Sequence, residues 1–222
     1  MAQVSIFKFK LFNKLMNSKF YKLMLVTNRN NVPLEQYLKF IKLCAASGIT
    51  SLQLREKSSS YEFLLEFGAK LKEVLMPYNI PLIINDSIDL ARELDAEGVH
   101  LGQSDGNPED ARNILGPRKI IGVSINTFAD LESANSWPID YFGVGAIFPT
   151  ASKTNIATIW GVRALSELSK LSKHPIIAIG GINEFNAGDV MLAGAQGIAA
   201  IGVFHDSEHP ELVIRNIRKI VG

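Results

Sequence analysis

The chemistry-bearing residues of this chain cluster just after short apolar runs. In LQLREK (52–57), Gln53, Arg55 and Lys57 fall at alternate positions. Alternation along an extended segment turns three side chains the same way. Two cations and an amide aimed together suit an anion; the competing reading is two solvated cations beside Glu56. The run PLIIND ends on Asn85 and Asp86, and HLGQSD brings in Asp105. Two carboxylates from adjacent loops can hold Mg²⁺, which takes one or two carboxylates, waters and phosphate oxygens. The competing reading gives Asp86, or Ser87, the capping of the next helix. Ser124 ends a further run, GVS, as a ligand or as a turn hydroxyl.

The most suggestive stretch is AIFPTASKTN (146–155). An apolar run gives way abruptly to the hydroxyls of Thr150 and Ser152 and the ammonium of Lys153. An ordinary surface loop has such a composition, and so does a loop that holds a phosphorylated ligand. Thr154 and Asn155 are read as the start of a mobile segment. Glycines after two later runs, AIGGIN and AAIGVF, leave backbone N–H groups free near Gly181 and near Ile201–Gly202. Free N–H groups of this kind bind phosphate, although tight turns need glycine as well.

Other polar residues invite less chemistry. His100 is expected to pack or hydrogen-bond inside the fold. HDSEH (205–209) lacks the HExxH spacing of a zinc helix and reads as a solvated loop. The single cysteine, Cys44, excludes an internal disulfide framework and lies in a helical pattern, so a buried inert thiol is expected.

These residues need elements that bring them together. Eight runs rich in Val and Ile recur between residues 21 and 202, separated by stretches of helical periodicity. These stretches include LEQYLKFIKLCAAS (34–47), YEFLLEFGAKLKEVL (61–75), SIDLARELDA after a cap at Asp86 or Ser87, and EFNAGDVMLAG after a cap at Asn183. Continuously apolar strands imply burial on both faces, and so a parallel sheet. Eight strand–helix units in about 200 residues suit a closed (β/α)8 TIM barrel, an α/β fold whose chemistry sits at the C-terminal strand ends. An open doubly wound sheet is the alternative, and GVGAIF has the wrong glycine spacing for a dinucleotide fingerprint.

We read one domain, a catalytic barrel over residues 21–222, behind an N-terminal extension of residues 1–20. The extension carries four lysines and no acid. Its lysines interrupt every apolar run, which suits neither a secretory signal nor a membrane span. A basic surface segment, or a true start at Met16, are the other readings. The 222 residues are 47% hydrophobic with a formal net charge of +1. That balance gives no argument for nucleic acid as a partner. Small-molecule ligands, a cytoplasmic location and a possible homo-oligomer are expected.

LQLREK, IIND, HLGQSD, IGVS, IFPTASK and AIGGI occur in this order at barrel-consistent spacing. Over roughly residues 21–204 the chain resembles the thiamine-phosphate synthase and thiazole tautomerase superfamily, and the synthases in particular. The resemblance implies a transferase that joins 4-amino-2-methyl-5-pyrimidinylmethyl diphosphate to a thiazole phosphate with loss of diphosphate. It implies that Arg55, Lys57, Asn85 and Lys153 hold the diphosphate and that Asp86 and Asp105 carry Mg²⁺. Gln53 and Ser124 would contact the pyrimidine and its leaving group. Thr150, Ser152 and the backbone at Gly181, Ile201 and Gly202 would hold the thiazole phosphate. The catalytic set would be Arg55, Lys57, Lys153 and Ser124. Departures from the family pattern are Ser152 for a threonine, Gly202 for a serine, Asn126 for a histidine and Ser87 for an arginine. A tautomerase-like isomerase, or a non-catalytic phosphate-binding barrel, are the alternatives. A tautomerase would need a general base where Asn126 stands.

Overall fold

In the computed structural model, residues 19–151 and 158–222 are described. Eight parallel strands close into a barrel in sequence order: β1 (Leu23–Val26), β2 (Ser51–Leu54), β3 (Leu82–Asn85), β4 (Gly98–Leu101), β5 (Ile120–Ile125), β6 (Tyr141–Val144), β7 (Ile176–Ile179) and β8 (Gly197–Ala200). β8 pairs with β1 in register Met24 to Ala199, which completes the closure. The expected α/β barrel is therefore the fold.

Helices cover the outside: α1 (Leu34–Ser47), α2 (Tyr61–Leu75), α3 (Ile88–Glu93), α4 (Pro108–Leu115), α5 (Phe128–Ala134), α6 (Gly161–Leu171), α7 (Ala187–Leu192), a single turn α8 (Gly202–His205) and α9 (Pro210–Val221). Their starts follow local chemistry. Ser60 accepts from the Phe63 N–H, Asn107 from the Glu109 N–H, and Thr127 forms a reciprocal capping box with Asp130. α1 ends at Gly48, whose φ of 115° is the left-handed region that lets the chain turn back into β2.

Three details differ from the sequence expectation. The helix expected over SIDLARELDA ends at Glu93, because Asp95 takes a left-handed φ of 46°. Asn183 does not cap α7; its Oδ1 accepts from the N–H groups of Phe185 and Asn186, closing a separate turn that delays α7 to Ala187. Residues 202–205 form a helical turn where a loop was expected.

The core has two parts. The larger lies between strands and helices and includes Cys44, whose burial pushes its thiol up to about 12. The thiol is inert at neutral pH, as expected. The second part fills the barrel itself with Tyr21, Met24, Val26, Ile83, Ile120, Tyr141, Ile177 and Ala199. Inward positions at Gly122 and Gly143 carry no side chain. A Cβ at Gly122 would overlap the Tyr141 ring, and one at Gly143 would sit 2.8 Å from His100 Cε1. Those glycines make room for two large polar rings inside the barrel. No described helix is long and apolar enough to cross a membrane.

Candidate active site

The C-terminal strand ends open into a cavity of about 680 Å³. Every site residue expected from sequence within the described residues lines it: Gln53, Arg55, Lys57, Asn85, Asp86, Asp105, Ser124, Thr150, Gly181, Ile201 and Gly202. Ser152, Lys153, Thr154 and Asn155 lie outside the described residues.

The cationic wall comes from β2. Gln53 is buried within the strand, and Arg55 and Lys57 follow it. The Thr27 hydroxyl accepts from the Arg55 N–H at 2.9 Å and donates to the Arg55 carbonyl at 3.3 Å. One side chain thus extends the β1–β2 pairing past the last strand residue. The extended backbone continues, so the alternation seen in sequence does aim Gln53, Arg55 and Lys57 into one space. Glu56, pointing the other way, accepts from the Arg29 N–H at 3.0 Å. No described carboxylate pairs with Arg55, whereas Lys57 Nζ lies 3.6 Å from Asp86 Oδ2.

The carboxylate pair comes from β3 and β4. Ser87, not Asp86, caps α3, accepting from the Leu90 N–H at 3.2 Å. Asp86 is thereby released to the cavity, with a left-handed φ of 69°. Such a conformation in a non-glycine residue is uncommon and clusters at functional sites. Asp105 is brought back by a tight turn: its Oδ2 accepts from the Gly102 N–H at 2.8 Å, and a Cβ at Gly102 would sit 2.5 Å from that oxygen. Burial, and then the neighbouring Asp105 carboxylate, hold the Asp86 carboxyl above the usual carboxylate range; Lys57 and Asn85 pull it back. Two carboxylates meeting at the rim of a cavity repel each other, and a divalent cation relieves that repulsion. The donor set therefore fits Mg²⁺, with the remaining positions open to waters and phosphate oxygens. Among the described residues no group of three or more His, Cys, Asp or Glu gathers in a cage.

Ser124 sits deeper, inside β5. His100 stands between it and Tyr141, with Nε2 2.9 Å from Ser124 Oγ and Nδ1 2.9 Å from Tyr141 Oη. His100 does hydrogen-bond inside the barrel, as expected. The sequence reading missed Tyr141. It begins an apolar run, YFGV, and only its register two residues before Gly143 marks it as facing inward. Burial pushes its phenol far above the ordinary value, so it stays protonated.

The part of the cavity wall expected to take a phosphate combines Thr150, the backbone at Gly181, and Ile201–Gly202. Gly181 has a φ of 67°, and a Cβ there would lie 2.5 Å from the Pro149 carbonyl oxygen. The β6 and β7 loops can therefore approach this closely only at glycine. Asn126 lines the cavity after β5; His100 is the one imidazole that lines it among the described residues.

HDSEH forms the expected loop over residues 206–209, with His209 exposed, and departs from expectation at His205 alone. His205 is not solvated: it lies stacked on Tyr37, ring centroids 5.8 Å apart, with its Nε2 2.7 Å from the Tyr37 hydroxyl. Its α8 turn folds the ring back against α1, where a free loop would have left it in water. Burial holds its imidazole below the usual histidine value.

A closed (β/α)8 barrel whose mouth joins cations, a carboxylate pair, hydroxyls and glycine backbone is an enzyme scaffold for phosphorylated ligands. A sequence model of thiamine monophosphate synthase matches residues 23–204, from β1 into α8. The chain is 50% identical over 206 residues to a thiamine-phosphate synthase of Chlamydia caviae, covering 93% of this chain and 97% of that one. Against the thiamine-phosphate synthase of Vibrio campbellii identity is 39% over 191 residues, covering 86% and 93%. The solved thiamine phosphate pyrophosphorylase from Pyrococcus furiosus superposes with a TM-score of 0.82 at 31% identity, covering 92% and 96%. The chain belongs to the thiamine monophosphate synthase family, transferases of thiamine biosynthesis.

Proposed function

We propose that this barrel couples 4-amino-2-methyl-5-pyrimidinylmethyl diphosphate to a thiazole phosphate, giving thiamine phosphate and diphosphate. The observation that carries this reading is the apposition, within one cavity, of the Arg55 guanidinium, with which no described carboxylate pairs, and the Asp86–Asp105 pair. That arrangement suits a diphosphate held by the Arg55 and Lys57 cations, with Asp86 and Asp105 as the residues that would hold a divalent metal. The family membership supports the same reaction.

Breaking the bond between the pyrimidinyl methylene carbon and diphosphate sends the electron pair to the leaving oxygen. Arg55, Lys57 and Asn85, joined by Lys153, stabilise the charge that develops there more than they stabilise the bound substrate. Asp86 and Asp105 would hold Mg²⁺, which when bound neutralises phosphate charge as a Lewis acid. The electron-rich aminopyrimidine supports the carbocation, with Gln53 and Ser124 against its ring. The thiazole nitrogen then donates its lone pair to the methylene carbon, forming the C–N bond and leaving a thiazolium. Thr150, Ser152 and the backbone N–H groups at Gly181 and Ile201–Gly202 hold the thiazole phosphate in line for that attack. No protein nucleophile is required, and the cavity walls offer cations, carboxylates and hydroxyls instead. We place this chemistry in residues 21–222, with residues 1–20 as an extension, and in the cytoplasm, where the single buried thiol stays reduced.

Diphosphate release should require both substrates and a divalent cation. Chelation with excess EDTA should lower the rate at least a hundredfold, and added Mg²⁺ should restore it. A folded preparation that releases no diphosphate with both substrates and Mg²⁺ present would sink the synthase reading. Lys153→Ala should slow release roughly a hundredfold, the scale of one preplaced charge. An unchanged rate would remove Lys153 from the site.

A further inference from the structure

The β1 and β8 sides of the barrel mouth are tied together by a hydrogen-bonded chain that does not itself line the cavity. The Asn28 N–H, in the loop after β1, donates to the Tyr37 hydroxyl at 3.0 Å. Tyr37 Oη lies 2.7 Å from His205 Nε2, and His205 Nδ1 lies 2.8 Å from the Ile201 carbonyl oxygen. A carbonyl oxygen only accepts, so Nδ1 carries the proton and donates to it. The neutral ring then accepts at Nε2, and the Tyr37 hydroxyl is its donor. The direction of the chain is set throughout: Asn28 to Tyr37 to His205 to Ile201. Packing holds it in place. The Tyr37 ring lies 5.6 Å from Phe40 and 5.9 Å from Phe67, and the His205 ring 5.0 Å from Phe40.

The chain ends at a residue that matters. Ile201 leaves β8 with φ −120° and ψ −84°, outside the regular regions, and its peptide to Gly202 lines the cavity. Gly202 carries no side chain that could fix its own orientation. The Ile201 carbonyl accepts from the Phe204 and His205 N–H groups of the α8 turn at 3.1 and 3.2 Å as well as from His205 Nδ1. The imidazole thus adds a third hold on a peptide whose plane also sets the direction of the Gly202 N–H.

We infer that Tyr37 and His205 are positioning residues that orient the Ile201–Gly202 peptide toward the phosphate of the thiazole substrate. The inference rests on the synthase reading above for the identity of that substrate. A side-chain hydroxyl at position 202 would contact a phosphate directly; with glycine there, the backbone alone does so, and its aim is set jointly by the α8 turn and the strut behind it.

Three full-length variants grade the strut. Tyr37→Phe removes the donor to Nε2 and keeps the ring. His205→Asn keeps an amide N–H where Nδ1 stood, so the Ile201 carbonyl retains its donor while Tyr37 loses its acceptor. His205→Leu removes both bonds. The KM for the thiazole phosphate should rise roughly tenfold in Tyr37→Phe and more in His205→Leu, with His205→Asn closer to wild type than His205→Leu. The KM for the pyrimidine diphosphate, and kcat at saturation of both, should stay within about twofold. A merely structural role would move both KM values together, in step with the melting temperature, and that outcome would overturn the inference. Isothermal calorimetry with inorganic phosphate, without turnover, separates this result from the function assignment. Weaker phosphate binding in the order Leu, Phe, wild type supports the strut even if the wild type releases no diphosphate. Equal phosphate binding in all three, or none in the wild type, refutes it.

Discussion

Arg55→Ala is expected to lower kcat/KM for the pyrimidine diphosphate by roughly a hundred- to a thousandfold, the range seen when one preorganised stabilising group is removed. The backbone that carries the guanidinium is fixed before substrate arrives. The Thr27 hydroxyl clasps it on both sides, and no described carboxylate neutralises the guanidinium. Such a charge costs little reorganisation when the leaving oxygen becomes negative. Lys57 cannot take its place, because its ammonium already leans on Asp86. Arg55→Lys should recover part of the rate, since it restores the charge without the planar fork that grips two oxygens at once. Thermal melting should hardly change, because the side chain is half-exposed and its removal leaves no buried partner. Steady-state release of diphosphate, read alongside the melting curve, decides the matter. A loss of less than tenfold in a wild-type-stable variant would show that the leaving group is stabilised elsewhere.

The largest effect on stability is expected at Gly122. A side chain there must enter the space of the Tyr141 ring. That ring cannot swing aside, since its hydroxyl is hydrogen-bonded to His100 and its face lies 5.5 Å from Tyr21. Gly122→Val should therefore destabilise the fold by roughly 3 kcal/mol, at the upper end of overpacking costs. For a chain of this size that lowers Tm by about 6–12 °C. The double variant Gly122→Val/Tyr141→Leu should regain part of the loss, because it vacates the contested volume. Differential scanning calorimetry of the two proteins tests the account. A Gly122→Val melting point within 2 °C of wild type would mean that the barrel interior has slack the geometry denies.

The fold was legible because the strands are mostly apolar and buried on both faces and the stretches between them carry helical periodicity. α1 and α2 run from Leu34 to Ser47 and from Tyr61 to Leu75, as their periodicity predicts. The site was legible for a related reason. Polar residues directly after buried strands have few places to point in a closed barrel. Alternation resolved Gln53, Arg55 and Lys57. What sequence could not resolve were competitions between neighbours. Asp86 and Ser87 are both good caps, and only the left-handed turn at Asp86 gives the cap to Ser87. Tyr141 hid in an apolar run, because facing into the barrel or out toward the helices leaves the same pattern when both sides are buried. His205 read as solvated because its partner, Tyr37, lies far away in the chain.

Gly122 and Gly143 have one more consequence. By leaving room for Tyr141 and His100 inside the barrel, where both line the cavity together with Met24 and Ile177, they make the barrel a cup with a packed base rather than a tube. In the proposed reaction all traffic then crosses a single rim. The ligand destined for Gln53 and Ser124 must descend first, and the ligand held at Thr150 and Gly181 closes over it. Diphosphate and the joined product must depart by the same threshold, the larger molecule freeing the depths last.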